Sequence, residues 1–384
     1  MSEFNELLTS WRHWLHAHPE YALEEVETAA FIAAKLREMP GMEVAEGVGK
    51  TGVIGTLKCG AGGKTVGLRA DFDCIKLDEM NACEYKSQNP GFMHGCGHDG
   101  HTAALLGAAK LLSESRDFNG TVRFVFQPGE EPGRGARAMI EDGLFERFPM
   151  DEMYALHNHS MFEGGTVNTC PGGFCATEDN FKIVIKGRGG HASQPNVVID
   201  PLVVAAQIIL ALQTIVSRNT PPLQTSVVSC TELFTDGNHN AIPGTVTILG
   251  DARSYSPEIS ALIEKRMGEI VAGTCAAHGA GYEFEYTHEF ASTINHPEKI
   301  PVIAEAGARV FGADKVNVNC DPHSGSEDFG LFLEHVPGAF AFYGTNRGDG
   351  TDAPMHNPHY DFNDDYLESA AKFYAEIARV ALEK

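Results

Sequence analysis

Four short segments each place a metal-type ligand just past an apolar run: Cys96-Gly97-His98-Asp99, Gln127-Pro128-Gly129-Glu130-Glu131, Ala155-Leu156-His157 and Pro354-Met355-His356. Thiolate, imidazole and carboxylate are the ligand types that a borderline-soft divalent cation such as zinc accepts. The adjacent pair Glu130-Glu131 carries the most information. A structural metal site needs only ligands, whereas a hydrolytic one also needs a free base beside the metal. Two neighbouring carboxylates can supply both, one turned to the metal and one to a water. The chain therefore reads as a metal-dependent hydrolase with a binuclear site.

Other signals are weighed against simpler readings. The glycines at 95, 97 and 100 predict a loop in which Cys96 and His98 turn to one centre. His101 is expected to begin the following helix in a capping or surface role rather than as a ligand. Asp99 could be a ligand, a support for one, or a charge at the helix N-terminus. His159 is not expected to bind metal. Gly47–Thr51 lacks the glycine that a phosphate-binding loop requires, because that position is Val44. His191, in the glycine-rich stretch Gly187–Ser193, can approach a ligand closely; Asn240 and Arg253 are weaker signals.

These residues need elements to hold them. Phe4, Leu7, Leu8, Trp11, Trp14 and Leu15 recur at helical spacing, and a second helix follows over Val26–Met39. Strands are predicted at Val53–Lys58, Thr65–Ala70, Thr121–Phe126 and Met153–Leu156, alternating with helices at Thr102–Leu112 and Gly135–Asp142. That alternation predicts a three-layer α/β domain. Asp71 and Asp73, Glu130-Glu131 and His157 then fall at strand carboxyl ends, where such sheets bind ligands. From residue 179 to 292 the order becomes β-α-β-β-α-β, the ferredoxin-like α+β unit. After it the α/β style returns, with a helix near Pro301–Phe311, a strand at Ala339–Tyr343 and a terminal helix from Asp365. The expected layout is a catalytic domain at 1–178 and 293–384 with the second domain inserted.

Composition bounds the function. A chain of 384 residues exceeds one ordinary core. Its 29 basic and 52 acidic residues give a formal charge of −23, which repels phosphate backbones and anionic lipid. Nucleic-acid and membrane partners are therefore not expected, and no apolar run reaches the length of a membrane span. Nine irregularly spaced cysteines, with no signal-like N-terminal segment, point to a reducing cytoplasm.

Met93-His94-Gly95-Cys96-Gly97-His98-Asp99-Gly100-His101-Thr102 resembles the signature of the M20 metallopeptidase family. The resemblance is to the amidohydrolase branch of that family, which holds hippurate hydrolases, N-acyl-amino-acid deacylases and auxin-conjugate hydrolases. It continues in family order through His18-Pro19-Glu20, Leu68-Arg69-Ala70-Asp71, Gln127–Glu131, Gly187–His191 and His356–Phe362. It implies two divalent cations per subunit, held by Cys96, His98, Glu131, His157 and His356. Zinc or manganese, with cobalt or nickel compatible, would serve. It implies Glu130 as general base, a supporting Asp71, and a lid domain that mediates a homodimer. His191 would reach the active site of the other subunit, and Asn240 and Arg253 would contact substrate. The chain departs from the family at Asn158-His159-Ser160-Met161, where an aromatic-proline segment is usual; this loop is expected to bear on substrate preference. The implied reaction is hydrolysis of an N-acyl amino acid. An exopeptidase and a non-catalytic metal-binding interaction protein are the alternatives.

Overall fold

The computed structural model describes residues 2–383. The chain forms two compact units, one of Met1–Phe174, Ile294–Pro322 and Glu327–Lys384, the other of Cys175–Thr293 with His323–Ser326.

The first unit is built on a mixed eight-stranded sheet. Its spatial order is Met42–Val48, Gly52–Cys59, Gly120–Gln127, Thr65–Asp71, Glu152–Glu163, Gly338–Asn346, Val167–Asn168 and Val316–Asn317. The four central strands, from Gly120–Gln127 to Gly338–Asn346, run parallel. They are buried on both faces: Val66, Leu68 and Ala70 on one side of Thr65–Asp71 and Gly67, Arg69 and Asp71 on the other are all buried. Helices Glu3–Ala17, Val26–Arg37, His98–Ser115, Ile300–Phe311 and Leu367–Glu383 cover one face through Leu8, Ile32, Leu105, Ile303 and Phe373. The short helices Gly135–Glu141 and Phe329–Leu333 lie against the other. This is the three-layer α/β arrangement.

The second unit carries a four-stranded antiparallel sheet in the order Ser226–Thr235, Thr245–Ser254, Glu178–Lys186, Gly281–Phe290. With helices Pro201–Thr214 and Pro257–His278 this is the ferredoxin-like topology. Here the strands do alternate: Phe181, Ile183 and Ile185 point to the helices while their neighbours are more exposed.

One expectation is corrected. Pro201–Asn219 is long and apolar enough, by length and composition, to cross a membrane. Its Val204, Ala205, Ile208, Leu212 and Ile215 share a core with Ile183 and Ile248, so one face of the segment covers the sheet while Val203 and Leu210 stay exposed. Two further readings also shift. The chain after His157 is not a loop, because the strand begun at Glu152 runs on to Glu163. His98 does not sit in a loop but opens the helix His98–Ser115.

Candidate metal centre

The centre lies at the carboxyl ends of the first unit's parallel strands. Thr65–Asp71 ends at Asp71, Gly120–Gln127 leads into the glutamate pair, and His157 lies within Glu152–Glu163. Between Gln127 and Glu130 the chain turns through Gly129, at φ +58°, whose N–H donates to Glu25 Oε1 at 2.9 Å. Gly97 caps the helix carrying His98 at φ +94°. A Cβ there would lie 2.3 Å from Asn158 Oδ1 and 2.6 Å from the Tyr360 hydroxyl. Gly97→Ala is therefore expected to cost about 2–4 kcal/mol from left-handed strain and overpacking together. An unchanged denaturation midpoint for the first unit would show that the turn can open instead.

The histidine orientations follow from backbone partners. His98 Nδ1 lies 2.9 Å from the Asp73 carbonyl and 3.2 Å from its carboxylate. A carbonyl only accepts, so Nδ1 carries a hydrogen and Nε2 is turned to the centre. His157 repeats the pattern, its Nδ1 donating to the Asn158 carbonyl at 2.6 Å and its Nε2 facing Cys96 Sγ at 3.5 Å. Glu131 Oε1 stands 3.4 Å from His356 Nε2 and 3.9 Å from His98 Nε2. Cys96, His98 and Glu131 each bring one ligand atom within 4.8 Å of the others. His98 Nε2 and Glu131 Oε1 are buried without a hydrogen-bond partner. Buried polar atoms left so are costly unless something else binds them, and a divalent cation fits both. His356 adds a backbone at φ +62°, uncommon outside glycine, held by its N–H on the Gly95 carbonyl at 2.8 Å.

The electrostatics agree. Asp71, Glu130, Glu327 and Asp328 are buried around one guanidinium, that of Arg69, and Asp73 is buried beside His98. Arg69 donates to Asp71 at 2.8 Å, to Glu327 at 2.9 Å, to Asp328 at 3.2 Å and to Gln127 at 2.7 Å. Burial, then the charges of Glu327, Glu131 and Asp328, push the Glu130 carboxyl well above the usual carboxylate range. Burial likewise raises Asp328, to about 8. At His98 burial opposes the charged ring, but Asp71 and Asp73 outweigh it and raise its pKa. Contacts with Cys96 and Glu131 raise His356 to about 11. Such a surplus of buried negative charge is what two cations would offset.

His101 stands elsewhere than expected, and its neighbours take more definite places. His101 is fully buried, not capping or exposed; its Nδ1 lies 2.6 Å from Asp71 and its Nε2 accepts from the Asn158 N–H at 3.0 Å. With both nitrogens engaged it positions Asp71. Asp71 in turn lies 3.8 Å from His98 Nε2, and the carboxylate on His98 Nδ1 is that of Asp73. Asp73 also takes the Glu131 N–H at 3.0 Å, so it holds two candidate ligands at once. The sequence offered it only as the second acid of Asp71-Phe72-Asp73. Asp99 faces away, paired with Arg12 at 2.9 Å and His16 at 2.8 Å.

His191, Asn240 and Arg253 belong to the second unit. The two-residue strand Gly190–His191 pairs with Ala241–Ile242, and the Ala192 N–H donates to the Asn240 carbonyl at 3.0 Å, so His191 and Asn240 are brought side by side. His191 Nδ1 accepts the Ser193 N–H at 3.1 Å, which leaves the ring hydrogen on Nε2 when the ring is neutral. Arg253 is engaged by Asp251 and by Glu178, each at 2.9 Å.

A mixed α/β sheet whose parallel strands carry the candidate ligands at or near their carboxyl ends, with a ferredoxin-like insertion, defines a hydrolase of the metal-dependent type. Residues 67–380 match the profile of Peptidase family M20/M25/M40. The chain is 40% identical to the hippurate hydrolase of Campylobacter jejuni, over 96% of this chain and 94% of that one. It is 37% identical to the N-acetylcysteine deacetylase of Bacillus subtilis, over 99% and 98%. The solved structure of a Bacillus subtilis dinuclear metal binding peptidase of the M20 family superposes with a TM-score of 0.86 at 34% identity, covering 99% of each chain. The protein belongs to the M20 family.

Cys96 offers a direct check. A ligating thiolate competes with protons and with alkylation. Metal-free protein is expected to be alkylated at Cys96 quickly and zinc-loaded protein slowly; equal rates would remove Cys96 from the ligand set.

Proposed function

We propose that this chain hydrolyses the amide bond of N-acyl amino acids, releasing a carboxylic acid and a free amino acid. The observation that carries the reading is the split of the glutamate pair: Glu131 points at His98 and His356, while Glu130 lies with Glu327 and Asp328. Cys96, His98, Glu131, His157 and His356 would hold two divalent cations, zinc or manganese, with cobalt or nickel compatible. When bound, these polarise the amide carbonyl and acidify water. Glu130 takes the proton of the attacking water and returns it to the departing nitrogen; its raised pKa suits both transfers. Asp71 fixes Arg69 and His101 behind the ligands. His191 donates Nε2–H to the oxyanion. Asn240 and Arg253 bind the substrate carboxylate, which at Arg253 must replace Asp251 or Glu178.

The relatives named for hippurate and N-acetylcysteine support the substrate class. We assign residues 179–292 as a lid and dimerisation domain. Its edge strand Ser226–Thr235 exposes Leu233 and Phe234, and its helix exposes Val203 and Leu210, at 72% for the last. An exposed sheet edge with apolar neighbours suits a two-fold contact between copies. The nine free cysteines suit a reducing cytoplasm.

The test is a panel of N-acetyl and N-aroyl amino acids, with a free dipeptide alongside, on zinc- and manganese-loaded protein, reading released amine. Faster dipeptide cleavage would make it an exopeptidase. Absence of turnover with metals bound would make it a metal-binding protein only.

A further inference from the structure

Two thiols away from the metal centre meet between segments far apart in sequence. Cys170 follows the strand Val167–Asn168, and Cys320 follows the strand Val316–Asn317, which pairs with it in parallel. The pairing outlasts the strands: the Thr169 N–H donates to the Asn317 carbonyl at 2.9 Å, and the Cys320 N–H to the Thr169 carbonyl at 3.4 Å. The turn into Cys320 is held by the Asn319 N–H on Asn317 Oδ1 at 3.0 Å. Asn295 Nδ2 holds the Cys170 carbonyl, also at 3.0 Å. The Cys320 N–H on the Thr169 carbonyl seats Cys320 beside the Thr169–Cys170 peptide, and both cysteines are free. Paired backbones lie about 4.7–4.9 Å apart, inside the roughly 4.4–6.8 Å between Cα atoms that a disulfide spans.

We propose that Cys170 and Cys320 form a reversible disulfide by exchange with a low-molecular-weight disulfide of the glutathione type. Cys170 is nearly buried at 7% and Cys320 is more exposed, so the small disulfide meets Cys320 first. The Cys320 thiolate attacks it, forming a mixed disulfide and expelling one small thiol. The Cys170 thiolate then attacks the Cys320 sulfur, closing the protein disulfide and expelling the second. Two electrons pass from the protein pair to the small disulfide, and the two protons leave on the released thiols.

The site is distinct from the metal ligands, and its place in the chain gives it reach. Cys170 comes shortly before the first unit gives way to the second at Cys175, and Cys320 shortly before the return at His323. The bond would close a loop containing every residue from 175 to 293. In a reducing compartment a bond between two such thiols reports the redox state and does not serve as a permanent staple.

The metal-loaded full chain, equilibrated with mixtures of reduced and oxidised glutathione, is acid-quenched, alkylated and digested without reduction. Excess oxidised glutathione is expected to yield one peptide pair joined through Cys170 and Cys320, lost again on adding dithiothreitol. Cys170→Ser should stop at a glutathione adduct on Cys320, and Cys320→Ser should leave Cys170 alkylated. Both thiols remaining alkylated at every ratio, or a wild-type protein that stops at the Cys320 adduct, would overturn the proposal. The wild-type peptide map decides even if neither variant folds.

Discussion

Glu130→Gln is expected to lower kcat by about 10²–10⁴, or ~3–5 kcal/mol of barrier, with metal content unchanged. The substitution keeps shape and hydrogen bonding but cannot take a proton. Metals should remain because Glu131, and not Glu130, faces His98, His356 and Cys96. The same change should alter the acid limb of the kcat/KM profile. A carboxyl whose pKa is raised keeps its proton to higher pH, so activity in the wild type falls as pH drops through that value, and the glutamine variant has no such group to protonate. Metal analysis and a pH series on one preparation decide the matter. Loss of metal would make Glu130 a ligand and reverse the order of the pair.

With the role proposed for it, His191→Ala is expected to lower kcat by about 10²–10³ and to leave metal content intact, because it would remove one oxyanion donor and no candidate ligand. The Ser193 N–H on Nδ1 already presents Nε2–H as the donor. If His191 serves the other subunit, mixing inactive His191→Ala with inactive Glu130→Gln should restore activity. One site of each mixed dimer then holds both intact groups. Mixtures that have exchanged subunits yet stay inactive would confine His191 to its own chain or exclude it from catalysis.

The elements legible in the sequence are those with a clean period. The opening helix, with Leu8, Trp11 and Leu15 inward, and the alternation of the inserted strands both follow from spacing. The short strands Val167–Asn168 and Val316–Asn317 left no periodic trace, being two residues each. The segments bearing the candidate ligands stood out because Cys, His and Glu follow apolar runs. What did not show was how polar groups share one another. Arg69 sits mid-strand, fully buried, and only the fold brings Glu327 and Asp328 to it from far along the chain. His101 looked like a residue at a helix start because its helix begins there; that it points inward depends on Asp71 and Asn158, which arrive from two other strands. Asp73 could be seen beside Asp71, but its grip on both His98 and Glu131 could not.

The strand Gly338–Asn346 lies between Glu152–Glu163 and Val167–Asn168, and His356 comes after it. Synthesis runs from the N-terminus at about 5–20 residues per second, and domains fold as units as they emerge. The inserted sheet and its helices come from one continuous stretch and can close as soon as that stretch is out. The first unit must wait, with one edge of Glu152–Glu163 unpaired, for the strand Gly338–Asn346, made only after the whole inserted sheet. During that interval the nascent chain offers an open strand edge, the feature most prone to pairing with a stranger, and it lacks the candidate ligand His356. For this fold, the stretch from Gly338 to His356 decides both whether that strand edge is sealed and whether the candidate metal centre is complete.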